Sequence, residues 1–329
     1  MLGFILRRLA SMVPLLIVIS VVCFLIIQLP PGDWVTNYAT QLYQMGQTTS
    51  EEVLDALRRQ YGLGQPVYVQ YWKWISGFPR GDFGISMAYG NRPVSVLIGE
   101  RFLLTVGISL ATLVISWGIA IPIGVYSATH KYALADYALS FVALVGVAIP
   151  SFLLALALLF VSVFFFNSPT VGGLFSPEYA DAPWSLAKFV DFLKHLPIPL
   201  LVIGLGGTAG TMRVMRGNLL DILDMQFIQT ARAKGLKERV VIWKHAVRIA
   251  INPLISRLGM YFPELFAGTV IVSIVLDLPT IGPMFLRALQ GQDMYLAGTI
   301  LFFSAALLIV GNLVADVVLA LTDPRIRYD

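Results

Sequence analysis

The chain has 329 residues, of which 57% are hydrophobic and only 13% charged, with a mean hydropathy of +0.77. That is about half the charge content of a soluble globular protein, so the pair of soluble domains that the length would allow is excluded. The net charge of +4 and the pI of about 9.1 do not point to nucleic acid, because the basic residues sit beside apolar runs, as membrane orientation requires. The single cysteine, Cys23, excludes an intramolecular disulfide. His130, His195 and His245 lie far apart, so no metal site is expected.

Arg7 and Arg8 precede an apolar run over residues 9–29, and about 20 such residues span the hydrocarbon of a bilayer. The run is too long for a signal-peptide core. Pro30-Pro31-Gly32-Asp33 follows it in place of a small-residue cleavage site. The expectation is a retained first membrane helix with a cytoplasmic N-terminus. Residues 30–92 form a polar external region with short helices of its own. Thr49-Ser50-Glu51-Glu52 reads as a capping box with Thr49 as cap, opening a helix that ends at Gly62. A second helix over 66–76 carries Tyr68, Tyr71, Trp72 and Trp74, residue types that favour the lipid–water boundary.

Pro93 opens a helix that passes Glu100 and Arg101 and becomes the second span, 102–127. His130 and Lys131 mark a short turn. A third span follows over 137–166, with Pro150 inside it. Residues 167–195, rich in Pro, Gly and acidic residues, form a second external segment. The fourth span starts near Leu196 and carries Gly204, Gly206, Gly207 and Gly210. Gly206 and Gly210 make a small-xxx-small pair suited to close helix packing. Arg213 and Arg216 end this span on the cytoplasmic side. The fifth span covers 253–276, an external turn and a surface helix come next, and the sixth span covers 296–321. Six spans with both termini inside place most basic residues on the cytoplasmic side.

Between the fourth and fifth spans, residues 217–252 form a polar, basic cytoplasmic loop. Two short helices are predicted around it, hinged at Gly235. The first covers 227–234. The second places Leu236, Val240, Trp243, Val247 and Ile251 on one stripe, at spacings of four, three, four and four. Gly235 stands where a helix ends in a left-handed residue, and Lys234 suits the negative end of the helix dipole before it. Pro253 follows at a first-turn position, where its missing N–H is tolerated.

The stretch Thr230-Ala231-Arg232-Ala233-Lys234-Gly235-Leu236 resembles the coupling loop of ABC importer permeases of the dipeptide/oligopeptide type. In the broader family the loop begins Glu-Ala-Ala, with a glycine four positions after the second alanine. Gln229, Thr230 and Ala231 occupy those places here, and Gly235 is the glycine. Pro253 corresponds to the family's later proline, while Arg248 stands where many members carry an earlier one. Both departures are those of the peptide-type subgroup. Similar likenesses lie in the N-terminal Leu-Arg-Arg-Leu, Pro31-Gly32-Asp33, Gln70-Tyr71-Trp72, Gly81-Asp82-Phe83-Gly84-Ile85-Ser86, Ile149-Pro150-Ser151-Phe152 and Asp323-Pro324-Arg325-Ile326-Arg327. The resemblance covers essentially the whole chain.

It implies an all-α polytopic membrane protein of about six transmembrane helices, with the type I ABC importer permease fold in a single transmembrane domain, 1–329. It implies residence in a bacterial plasma membrane, a second homologous permease subunit, two ATPase subunits and an external solute-binding protein docking on 30–92 and 167–195. The resemblance further implies that Phe227, Ile228, Gln229, Thr230, Ala231, Arg232, Ala233, Lys234, Gly235, Leu236 and Pro253 couple the chain to the ATPases. In that scheme Phe227, Ile228 and Ala231 face the partner, Gly235 sets the elbow angle, and the helix from Leu236 transmits motion to Pro253. Peptides are the leading cargo, with oligosaccharides or opines, glutathione and nickel as alternatives.

No glycine in the chain is followed by lysine, so a P-loop is impossible. No cofactor is expected in this chain, and ATP and Mg belong on partner subunits. An intramembrane protease would need Gly-x-Ser-Gly or Gly-x-Gly-Asp, and neither occurs. No catalytic residue is therefore assigned. Glu264 and Asp316 are the notable acids within spans, and Glu264 is expected to pair with Arg257. An ion-coupled transporter would show internal repeats and relays of buried acids, and neither is evident.

Overall fold

The computed structural model describes residues 2–166, 172–180, 182–267 and 270–322. The terminal motif at 323–327 and the start of the second external segment, 167–171, lie outside the described residues. In chain order the helices are α1 (Leu2–Gln28), α2 (Trp34–Gln44), α3 (Glu51–Tyr61), α4 (Val67–Ser76), α5 (Val94–Thr129), α6 (Leu134–Ala148), α7 (Ser151–Phe166), α8 (Leu186–His195) and α9 (Pro197–Leu223). Then come α10 (Gln226–Ala233), α11 (Glu238–Val240), a π-helical segment Val241–Ala246, α12 (Val247–Ala250), α13 (Asn252–Ser256), α14 (Leu258–Ala267), α15 (Val270–Val275), α16 (Ile281–Gln290) and α17 (Met294–Thr322). Two short strands, β1 (Ile85–Ser86) and β2 (Arg92–Pro93), pair antiparallel. The all-α, multi-pass architecture expected from the apolar runs is present.

Among the described residues, α1, α5, α9 and α17 are each long and apolar enough to cross a membrane. The α6–α7 pair makes a fifth if its bend of 100° is one broken span. That bend falls at Ile149-Pro150, and the residue before a proline is pushed out of helical conformation. Ile149 is accordingly extended, at φ −76° and ψ 122°. The expected third span is thus two helices. The expected fifth is a series of shorter pieces, α13, α14 and α15.

The chain divides into two compact units, residues 1–105 with 280–309, and residues 106–279 with 310–329. In the first, Phe24, Tyr61, Trp74, Met87 and Met294 form a buried cluster. Trp74 lies within it and donates from Nε1 to Thr299 Oγ1 at 3.1 Å, so it does not stand at a lipid boundary. Tyr71 is half-buried against Phe24, whereas Tyr68 and Trp72 are exposed. The cap of α3 is Ser50, not Thr49, and it makes no side-chain capping bond. Gly62 ends that helix in the left-handed region, at φ 70°, as its position in the sequence suggests. The Gly81–Ser86 stretch leads into β1. There Ser86 Oγ and the Ala88 N–H both donate to Asp293 Oδ2, at 2.5 and 3.0 Å, while Asp293 Oδ1 accepts the Leu296 N–H at the start of α17.

In the second unit α5 and α9 come close at two glycines. A Cβ on Gly124 would stand 2.9 Å from Met212 O, and one on Gly204 would stand 3.0 Å from Ser116 Oγ. Ser116 Oγ donates to the Gly204 carbonyl. Gly206 and Gly210, the pair singled out by spacing, meet nothing within 4 Å. Rotation about the helix explains this. Gly204 faces α5 and Gly206, two positions on, points about 200° away.

Candidate functional site

The polar stretch after α9 folds as a bent arm anchored on its own unit. Helix α10 ends in a Schellman arrangement: the Gly235 N–H donates to Arg232 O at 2.9 Å and the Leu236 N–H to Ala231 O at 3.4 Å. Such an ending needs a left-handed residue, and Gly235 supplies it at φ 74° with open space around it. Across the bend Arg232 forks onto Glu238, with Nη2 2.7 Å from Oε1 and Nε 3.2 Å from both carboxylate oxygens. Arg232's hydrogen bonds hold the Glu238 carboxyl below its ordinary value, against a smaller opposing effect of burial. The same contact raises the already high pKa of Arg232.

The inner face of the arm is apolar. Ile228, Ala231, Val241, Ala246, Val247 and Ala250 join Met215, Leu219 and Ile222 of α9 and Val125 and Ala128 of α5 in one buried cluster. Phe227 is half-buried against it. Of Phe227, Ile228 and Ala231, expected to face a partner, Ile228 and Ala231 are instead buried in their own chain. The residues α10 presents outward are Gln226, Gln229, Thr230 and Ala233, with Met225 before it and Lys234, Gly235 and Leu236 after it. Arg232 is half-buried by its ion pair, and Pro253 is exposed in the first turn of α13.

The stripe expected along the second helix holds at Val247 and Ile251, which pack on the cluster, and is corrected before them. Leu236 precedes the helix and is exposed, and so is Trp243. The π-helical segment adds residues to the turn, so positions five apart share a face. Val241 and Ala246 are therefore buried together, and the inward register passes from Val240 and Trp243 to their neighbours. Two ties that spacing did not reveal hold the arm in place. Asn218 Nδ2 donates to Ala250 O at 3.2 Å, and Arg248 Nε donates to Thr322 O at 2.6 Å, at the end of α17. The charge pair flanking Gly235 was visible in the sequence as Arg232 and Glu238, but only the bend brings six residues of separation to contact. Arg257 and Glu264 are both exposed, and no ion pair joins them among the described residues, contrary to expectation.

Apolar helices long enough to span a membrane, with a polar basic arm packed against them, are what the resemblance to membrane transport permeases led one to expect. Comparison with known proteins agrees over the whole length of the chain. Residues 120–328 match the family described as binding-protein-dependent transport system inner membrane component, and residues 1–109 match the N-terminal region described for the same components. The oligopeptide transport system permease protein AppB of Bacillus subtilis is 36% identical over 329 residues, all of both chains. The glutathione transport system permease protein GsiC of Escherichia coli K12 is 31% identical over 329 residues, again all of both.

The chain belongs to the family of binding-protein-dependent transport system inner membrane components. It is a multi-pass inner-membrane protein and a permease subunit of an ABC importer.

Proposed function

We propose that this chain forms half of the translocation pathway for peptides or similar small solutes and takes its driving force from separate ATPase subunits through the arm at 225–250. The observation that carries this reading is the division of the arm's two faces. Its inner face is fixed in the cluster formed with α5 and α9, while Met225, Gln229, Thr230, Ala233 and Leu236 are left outward. A force applied to the outward residues passes directly to α9 and, through Ala250 and Pro253, to α13. The ATPases close around ATP and Mg, and the arm converts that closure into rocking of the attached spans, which is alternating access driven from outside the chain.

In this reading the arm and both termini lie in the cytoplasm. A second, related permease completes the pathway, two ATPases bind beneath, and a solute-binding protein docks on the external segments 30–92 and 167–195. Peptide cargo is supported by the relatives, which are named for oligopeptide and glutathione transport. Glutathione is itself a tripeptide, so both names describe one chemical class.

The test is Gly235→Pro in the assembled transporter reconstituted in vesicles. Proline cannot adopt the positive φ of this position, so the outward residues lose their orientation. The expected result is ATP hydrolysis that continues while uptake falls by an order of magnitude or more. Uptake at the wild-type rate by a correctly assembled variant would overturn the coupling role.

A further inference from the structure

Helix α8 is built inside out. Lys188, Asp191, Phe192 and His195 lie at positions i, i+3, i+4 and i+7, and Leu186, Phe189, Val190 and Leu193 repeat the same spacing on the opposite side. In a water-soluble protein the second stripe would face the core. Here the first one does: Lys188 is 6% exposed and Asp191 8%, while Leu186 is 80% exposed and Phe189 47%.

The buried charges are satisfied from within. Lys188 Nζ donates to Ala180 O at 3.2 Å and Ala182 O at 2.6 Å, and lies 4.7 Å from the Phe175 ring centre and 5.6 Å from that of Trp184. Asp191 accepts the Ser176 N–H and hydroxyl, each at 2.7 Å. Burial pushes the Asp191 carboxyl up, but the Ser176 bonds and the nearby charges of His195 and Lys194 outweigh it and leave it below its ordinary value. A lysine and an aspartate held this way cannot rotate outward without losing every partner. The apolar stripe is therefore fixed as the outer face.

We infer that this outer face is seated in the headgroup and upper acyl region of the bilayer. The placement of the helix supports lipid as the occupant. Only Leu196 separates α8 from α9, and its backbone is itself helical, at φ −67° and ψ −33°. At 27 residues, α9 is about 40 Å long, against a hydrocarbon core of about 30 Å. Arg213, Arg216 and Asp221 occupy its far end. The hydrocarbon level therefore lies toward Pro197, and α8 stands at its boundary.

The apolar surface is also continuous with the spanning helices. Leu186 and Val190 share a cleft of about 910 Å³ with Leu159 of α7 and Ile198 of α9, and its polar side takes in Glu178, Tyr179, Lys194 and the edges of Asp191 and His195. Trp184, just before α8, is exposed and is a residue type enriched at membrane interfaces. A short amphipathic helix lying in the plane of the interface has this character. The inference goes beyond the importer reading and needs neither the cargo nor the ATPase coupling. It leaves 172–184, not the outer face of α8, for contact with a soluble binding protein.

The test uses the full chain carrying Cys23→Ser, in nanodiscs of phosphatidylethanolamine and phosphatidylglycerol. Single nitroxide labels are placed on Phe189→Cys, Leu193→Cys and Lys194→Cys, all exposed positions that make none of the hydrogen bonds holding Lys188 and Asp191. Labels at 189 and 193 are expected to relax several-fold more with oxygen, which concentrates in lipid, than with a water-soluble nickel chelate. The label at 194 should show the reverse preference. Equal nickel access at all three positions would place the face in water and overturn the inference. Exclusion of both relaxants at 189 and 193 would place it under protein, a second copy included, and overturn it as well.

Discussion

Arg216 holds Asp136 with two parallel bonds, Nε to Oδ1 at 2.8 Å and Nη2 to Oδ2 at 2.7 Å, joining α9 to the first turn of α6. Ser127 of α5 donates to Asp136 and accepts from Arg216 Nε, and the Tyr132 N–H also donates to the carboxylate. Three helices and the turn between two of them thus meet at one nearly inaccessible carboxylate. The arm begins two turns further along α9, so this junction fixes the base on which the arm stands.

Asp136→Asn is expected to lower the stability of the chain severely. Removing one partner of a buried pair costs roughly 3–5 kcal/mol, and the partial exposure of Arg216 places this case near the low end. Arg216→Lys should recover only part of the loss, because an ammonium cannot make the paired contact. Thermal unfolding of the purified chain in detergent measures both variants. An unchanged transition for Asp136→Asn would contradict the junction.

The Arg232–Glu238 contact is expected to matter for coupling more than for stability. Both side chains are substantially exposed, and such pairs contribute about 0–1 kcal/mol. Glu238→Gln should therefore melt like the wild type, yet loosen the bend and speed amide exchange at Gly235 and Leu236. The pH dependence has a definite sign. An acid whose folded pKa is depressed contributes its stability above the unfolded value, about 4.3 for glutamate, and loses it as pH falls through the folded value. Exchange at the bend should hence be protected at neutral pH and lose that protection only in acid, once intrinsic exchange is corrected for. Protection that declines between neutral and mildly alkaline pH would assign the effect to another group.

Gly124→Ala is expected to destabilise the second unit, and Gly206→Ala is not. The added methyl at 124 meets the Met212 carbonyl oxygen and the Met215 Cβ, both at 2.9 Å, and overpacking of this kind costs typically 1–3 kcal/mol. At 206 the methyl meets nothing within the chain. Parallel melting curves decide it. If instead Gly206→Ala leaves the isolated chain intact but impairs assembly with a partner permease, that face is a contact between subunits.

Trp74→Phe is expected to cost about 1 kcal/mol through loss of the bond to Thr299, and Trp74→Ala about 3–5 kcal/mol through the cavity left. Trp72→Ala, an exposed neighbour two residues away, should change stability by less than either. Denaturant or thermal titration of the three variants separates a core tryptophan from a boundary one.

The elements at the edges of the arm were legible in the sequence because they rest on local rules. Gly235 supplies the left-handed residue that ends a helix, whereas the break at Pro150 was not read, since a single third span was expected to run through it. Length and apolarity fix α1, α5, α9 and α17 as membrane helices without knowledge of their neighbours. Which side of each helix meets which partner was not legible. Ile228 and Ala231 turn inward because α9 lies beneath them. The register of 236–251 shifts at a π turn that hydrophobic spacing, read at 3.6 residues per turn, does not register.

The sequence by itself determined that this chain lives in a membrane, that its apolar runs are helices, and that a basic arm interrupts them. Hydropathy and backbone preference act over a few residues and need no tertiary partner. Only the tertiary structure decided that Asp136 meets Arg216, that Arg232 meets Glu238, that Gly204 rather than Gly206 is the point of close approach, and that α8 presents its apolar side outward. Each of these depends on the rotation of one helix about its axis relative to another, or on the angle of a bend. Residues far apart in sequence set both, so no local pattern encodes them.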